Sequence, residues 1–151
     1  MTEIIEGEAE DADLHELHGL IRRGQQLWIE GQSEGIPQHD QMTIYGPFGG
    51  PLRVFTGDHD PRQAATRAQF QGGKSAVEIV RTIRSGELAV VVSLSRSSVQ
   101  FVDRTEPHPW TLRVTEVYQR VESGWLRLHR HADPLIAPRP LSETLALIPR
   151  T

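Results

Sequence analysis

The stretch that decides the fold is residues 110–135, WTLRVTEVYQRVESGWLRLHRHADPL. Over residues 111–121 the chain alternates, with Leu112, Val114, Glu116 and Tyr118 on one face and Arg113, Thr115, Val117 and Gln119 on the other. Leu126, Leu128, Arg130 and Ala132 share a face of a second run, opposite Arg127, His129, His131 and Asp133. A period of two sustained over such runs, rich in Thr, Val, Tyr and Trp, predicts two β-strands. Glu122-Ser123-Gly124 between them is expected to be a three-residue loop with Gly in the left-handed position. In that register Val121 faces Trp125, Glu116 faces Arg130, Arg113 faces Asp133 and Thr115 faces His131. Two opposite-charge pairs forming together support it, whereas a two-residue loop would shift the pairing.

The hairpin sits in a chain of 151 residues, the size of one ordinary domain with a core of its own. A single domain over residues 1–151 is expected, with its core at about 11–135 and a proline-containing tail at 136–151. A formal charge of −4 gives no reason to expect nucleic acid as a partner. There are no cysteines, which excludes disulfide and thiol chemistry and is compatible with the cytoplasm. The acidic start, MTEIIEGEAEDADLHE, lacks the apolar centre of a signal peptide, and no run approaches the roughly 20 apolar residues of a membrane span. A cytoplasmic protein with no membrane partner is therefore expected.

Before the hairpin, residues 2–13 are acidic and expected to fray. Leu14, Leu17, Ile21 and Trp28 fall at helical spacing, widened by Leu20 and Leu27, and predict a helix from about Glu8 to the turn at Gly31 and residues 33–35. His15 and His18 are expected to be partly exposed on it. Residues 39–45 predict a short strand, broken by the glycine-rich turn at residues 46–51, which lacks the Lys and helix of a phosphate loop. Asp58-His59-Asp60-Pro61 is a helix start, with Asp60 as N-cap and Pro61 in the first turn. That helix is expected to run through Ala64, Ala65, Ala68 and Phe70 to Gly72-Gly73. The rest predicts sheet: residues 75–84, a turn at Ser85-Gly86, a central apolar strand at 88–94 and a more polar edge at 95–103. Helix, strand, helix and then a four-stranded antiparallel meander make an α+β chain. A long curved sheet with helices on one face closes into a cone with a pocket at its wide end.

RVTEVYQRVESGWLRLHRHADPL, with MTIYGPFGG upstream, resembles SnoaL-like proteins of the nuclear transport factor 2 superfold. TEVYQRVESGWLRLHRHAD is also similar to the association (hub) domain of calcium/calmodulin-dependent kinase II. The resemblance implies a cone-shaped α+β roll of the cystatin-like kind, a convex sheet face that pairs two subunits, and a small-molecule pocket. In ketosteroid isomerase, a relative of this fold, the general base is an Asp that follows the strand after the first helix and precedes a Pro. In Thr43-Ile44-Tyr45-Gly46-Pro47 that position is Gly46, which has no side chain, so steroid-type isomerisation is not implied. Asp40 is the nearest carboxylate.

The candidate site follows from the faces of the hairpin. Glu116, Tyr118 and Arg130 lie on its apolar face, under the helices, with Trp28 and Tyr45 as pocket walls. Asp40 and Glu116 are the candidates for acid–base work. Arg113, His129, His131 and Asp133, on the opposite face, are candidates for a homodimer interface. His129-Arg130-His131-Ala132-Asp133 has the H-x-H-x-D spacing that opens a metallo-β-lactamase metal motif. Pro134 stands where the next His is required, and no His follows position 131, so no metal is expected. No nucleotide motif or Ser-His-Asp pattern is present, and no cofactor is expected. The function implied is binding of a small, partly apolar organic molecule, with cofactor-independent isomerase, dehydratase or hydrolase chemistry possible. The alternative is a non-catalytic ligand-sensing or oligomerisation module.

Overall fold

In the computed structural model the decisive stretch is a long antiparallel hairpin, β6 (His108–Val121) and β7 (Gly124–Pro134). The structure describes residues 1–57 and 60–151, so the Asp58-His59 part of the expected helix start lies outside the described residues. The order is β1 (Thr2–Glu6), α1 (Ala12–Ile29), β2 (Gln38–Tyr45), β3 (Arg53–Val54), α2 (Pro61–Arg67), β4 (Phe70–Ser85), β5 (Leu88–Phe101), β6, β7 and α3 (Leu141–Leu147). All the strands join one sheet in the order β1-β4-β5-β6-β7-β2-β3. β4 to β7 are the expected meander; β2 adds in parallel to β7, and β1 adds antiparallel to β4. This is the expected α+β roll with a mostly antiparallel sheet. Among the described residues no helix is long and apolar enough to cross a membrane.

The hairpin departs from expectation in one respect that matters. Its loop has two residues, Glu122-Ser123, because Val121 pairs with Gly124. The register set there runs Arg120 with Trp125 and Tyr118 with Arg127, then shifts between Val117 and Tyr118. Val117 pairs with His129, so Leu128 is the extra residue of a β-bulge on β7. Beyond the bulge the expected pairs return: Glu116 with Arg130, Thr115 with His131 and Arg113 with Asp133. The short loop and the bulge offset each other. Between them, however, the faces invert, so Trp125 and Arg127 point inward and are buried.

α1 begins later than expected, because Asp11 Oδ1 accepts from the backbone N–H of Asp13 and Leu14 at 2.9 and 3.2 Å. It ends where the Gly31 N–H donates to Trp28 O at 2.9 Å, Gly31 taking a φ of +80°. Its stripe packs Leu14, Leu17 and Ile21 against Ile79, Ala89, Val91, Tyr118 and Trp125. The acidic start is a strand rather than frayed chain, since Ile4 and Ile5 pair with β4 and Glu6 meets Arg81 at 2.5 Å. α2 stops at Arg67 because Phe70 is drawn into an aromatic cluster with Trp28, Phe101 and Trp110 and opens β4 instead. β5 is central along its whole length: Ser95 and Ser97, expected at a polar edge, are buried on the inner face with Ser93.

His18 is fully buried, not partly exposed, and its Nε2 lies 2.9 Å from Thr82 Oγ1. Burial holds its pKa below the ordinary value, against the pull of Glu8. The unfolded chain therefore takes up a proton first as the pH falls. Stability is full above the unfolded pKa of about 6.5 and declines below it, with a slope of at most about 1.4 kcal/mol per pH unit. Urea unfolding between about pH 7.5 and 5.5 should show this decline, and His18→Gln should remove part of it. Equal slopes in the two proteins would mean that His18 does not carry it.

Candidate functional site

The inner face of β6 and β7 places four polar side chains over the α1 side of the sheet. Glu116 and Tyr118 share that face by strand alternation, and Arg127 joins them because of the bulge. Glu116 Oε2 accepts from Tyr118 Oη at 2.6 Å and from Arg127 Nη1 at 2.9 Å. Arg127 Nη2 donates to Glu34 Oε2 at 2.5 Å, Glu34 coming from the loop after α1. Arg127 is only 3% exposed and Glu116 2%, so this ion network is withdrawn from water. Burial opposes the Arg127 charge, yet Glu34, the Tyr118 phenol and Glu116 outweigh it and raise the pKa, so the guanidinium stays charged. Burial and the neighbouring Glu116 push the Tyr118 phenol well up, so it remains a donor.

Arg130 stands beyond this network. Its Nε is 4.0 Å from Glu116 Oε2, and among the described residues that is its only side-chain polar contact. It lines a cavity of about 50 Å³ walled by Trp28, Ile44, Phe48, Phe70 and Trp110. A smaller cavity of about 10 Å³ shares Gln25, Glu34 and Arg130 with it and reaches Glu116, Ser93 and Ser95. Gln25, 7% exposed, faces both, and among the described residues its Nε2 has no hydrogen-bond partner. Ser95 Oγ is likewise unpartnered. A buried network of one guanidinium, two carboxylates and a phenol, with a net charge of −1, thus forms the floor; Arg130 balances that charge from 4.0 Å away, and Gln25 and Ser95 offer spare polar capacity above it.

The expected site residues divide accordingly. Trp28 and Arg130 line the larger of the two cavities and Glu116 joins Arg130 at the smaller, whereas Tyr118, fully buried, lines neither and meets them only through Glu116. Tyr45 is not a pocket wall: Ile44 and Gly46 line the cavity, so alternation turns Tyr45 outward, 40% exposed, with its ring 5.3 Å from that of His131. Asp40 lines neither cavity, and its exposed carboxylate meets His39 Nδ1 at 2.9 Å. On the outer face Arg113 donates to both oxygens of Asp133, at 2.7 and 2.8 Å, with His131 alongside. His129 is less open than expected, with its Nδ1 2.8 Å from Thr43 Oγ1 of the neighbouring strand. No group of three His, Cys, Asp or Glu among the described residues could hold a metal ion.

Gln25, Glu34, Ser95 and Arg127 were not anticipated. Gln25 precedes Trp28 by three residues, and that spacing on the apolar stripe was the available signal. Nothing in the sequence marks Glu34, which belongs to a loop.

No protein-family model matches the sequence, and no curated protein matches it. Solved structures do. An NTF2-like family protein from Streptomyces avermitilis, provisionally assigned as a dehydratase, superposes with a TM-score of 0.69 at 15% identity, over 85% of this chain and 100% of that one. The calcium/calmodulin-dependent kinase II hub of S. rosetta gives 0.66 at 15% identity over 85% and 100%. The chain has the nuclear transport factor 2-like fold. A Shewanella frigidimarina protein provisionally assigned as a ketosteroid isomerase matches this fold less closely, with a TM-score of 0.60 at 17% identity over 82% and 96%. Such identities carry the fold and no activity. Within the nuclear transport factor 2-like cone, Gly46 lines the cavity where the sequence resemblance puts the isomerase base.

Proposed function

We propose that the cone binds a small, partly apolar organic acid, holding its carbon body between Trp28, Phe70 and Trp110 and its oxygens near Arg130 and Gln25. The observation that carries this is the pair of donors that face one aromatic-walled cavity: the Arg130 guanidinium, held only by a long 4.0 Å ion pair to Glu116 among the described residues, and the buried Gln25 Nε2, unpartnered among them. A buried donor left unmatched costs free energy, and a ligand oxygen relieves that cost. Binding fits the geometry better than turnover. Gly46 supplies no base, and Glu116 Oε2 already accepts from Tyr118 and Arg127. No cofactor is needed for this role.

Benzoate is a suitable probe, titrated by calorimetry or through the indole resonances of Trp28 and Trp110. It should bind, Arg130→Met should weaken it by about tenfold or more, equivalent to at least about 1.4 kcal/mol, and neutral benzyl alcohol should bind less well. Equal binding to Arg130→Met and the parent protein would exclude Arg130 as the anchor. No binding of either compound would remove the organic-acid reading.

An assembly role is the second reading. It is favoured by the bidentate Arg113–Asp133 pair, which presents a fixed polar face beside exposed His131, and we assign to that face a part in pairing two chains.

A further inference from the structure

Beyond β7 the chain runs through Leu135-Ile136-Ala137-Pro138-Arg139-Pro140 into α3. α3 has seven residues, none of them buried, and its N-cap, Pro140, makes no side-chain cap hydrogen bond. A helix this short is not stable alone in water, where about 12–15 residues are marginal. Leu141 and Leu145, at i and i+4, share one apolar face of α3, and Ile148, its extended C-cap, follows them; the three are 71%, 57% and 59% exposed. The arm therefore presents a face that needs a surface.

A complementary surface lies at the end of the sheet. A groove of about 600 Å³ opens between the β5–β6 turn and the root of the arm, walled by Phe101, Val102, Pro109, Trp110, Leu135 and Ile136. Asp103, Arg104 and His108 supply its charged and polar rim. None of the α3 residues lines the groove of its own chain. Leu135 and Ile136 form one wall of it, while Pro138 and Pro140 stiffen the spacer that leads α3 away.

We infer that α3 of one chain docks in the groove of a second copy, the two copies exchanging arms about a two-fold axis. The charges on both sides are mixed, so opposite signs can be paired: Glu143 with Arg104, and an arm arginine with Asp103. The arm carries Glu143 in the first turn of α3, flanked by Arg139 and Arg150, and the groove rim offers Arg104 and His108 together with Asp103. A two-fold axis makes each contact twice, so one apolar stripe and one groove per chain close the assembly at two. The root of the arm also adjoins the polar outer face: Arg139 acts on Asp133, helping to hold its carboxyl below the usual range, after the larger effect of Arg113. Exchanged arms and paired outer faces thus form one continuous interface.

The chain has no cysteine, so introduced thiols report on a single contact. Leu145→Cys and Val102→Cys change exposed positions on the arm and in the groove. Mixed and oxidised, the two single variants should give a covalent dimer of twice 17.0 kDa, and each alone should give about tenfold less. With both changes in one chain the product should still be a dimer. Light scattering should show a dimer for the parent protein and a monomer for the Leu141→Ser, Leu145→Ser, Ile148→Ser variant, with the far-ultraviolet spectrum of the body retained. A parent monomer would leave the arm to some other partner and overturn the inference. So would a triple variant that stays dimeric, a crosslink formed only within one chain, or Leu145→Cys pairing with itself and not with Val102→Cys. None of these readouts involves the cone, so they stand or fall apart from organic-acid binding.

Discussion

Arg127→Met should destabilise the protein by roughly 3–5 kcal/mol, the range for breaking a buried ion pair from one side. Glu116 and Glu34 would each lose the donor that compensates a carboxylate withdrawn from water, and Tyr118 would be left to satisfy Glu116. The triple change Arg127→Met, Glu116→Gln, Glu34→Gln should recover much of the loss, because it removes the charges as well as the pairing. Urea unfolding of the parent, single and triple variants makes the comparison. A single variant within about 1 kcal/mol of the parent would mean that water reaches the site and screens it. Benzoate binding adds a separate readout, since Arg127 donates to the network and Arg130 to the cavity. A folded Arg127 variant that keeps benzoate affinity would confirm that division.

Trp125→Ala should cost about 3–5 kcal/mol, the range for deleting a large buried aromatic. Trp125 is 1% exposed and fixes the hairpin tip to the start of α1, where its Nε1–H donates to Asp13 O at 3.0 Å. The guanidinium carbons of Arg84 and Arg120 each lie 5.5 Å from its ring centroid, and both cations also reach Asp13. Cation–π contacts of this kind add about 0.5–1 kcal/mol each where water has access. Trp125→Phe keeps most of the volume and loses the indole donor, so a cost near 1 kcal/mol is expected. Similar costs for Ala and Phe, measured by denaturant midpoint, would show that the hydrogen bond rather than the packing holds the tip.

These two residues also mark where the sequence was readable and where it was not. Alternation along β6 correctly placed Leu112, Val114, Glu116 and Tyr118 inward, because an unbroken strand keeps its period of two. The same argument turned Arg127 outward and Leu126 and Leu128 inward, because it had no means of seeing the bulge. A bulge is set by two neighbouring strands together, here by the demand of a two-residue loop at the tip and of the Glu116–Arg130 pairing further in. The loop length was misjudged, yet the charge pairs chosen to support it were real. Tyr45 failed for a related reason. Its strand pairs with β7 in parallel, across a long separation in sequence, and local alternation does not say which face of an added strand meets the cone. Glu34 and Gln25 came from elements whose polar residues look solvated until a second layer covers them. The apolar walls were more legible, since Trp28 already belonged to a helical stripe.

The order of the strands has a consequence for solubility. The interior strands β4, β5 and β6 have 16, 14 and 14 residues, and the two outermost strands, β1 and β3, have only 5 and 2. A long bare edge is a template on which other chains add strands. β1 covers the 81–85 end of β4, and its Glu3 and Glu6 put negative charge on the rim that remains. Those few acidic residues therefore serve as a guard strip. A protein shortened by its first six residues keeps the cone and the ion network, but it bares the end of β4, with Ile83 and Val80 beside it, to any neighbour in a crowded solution.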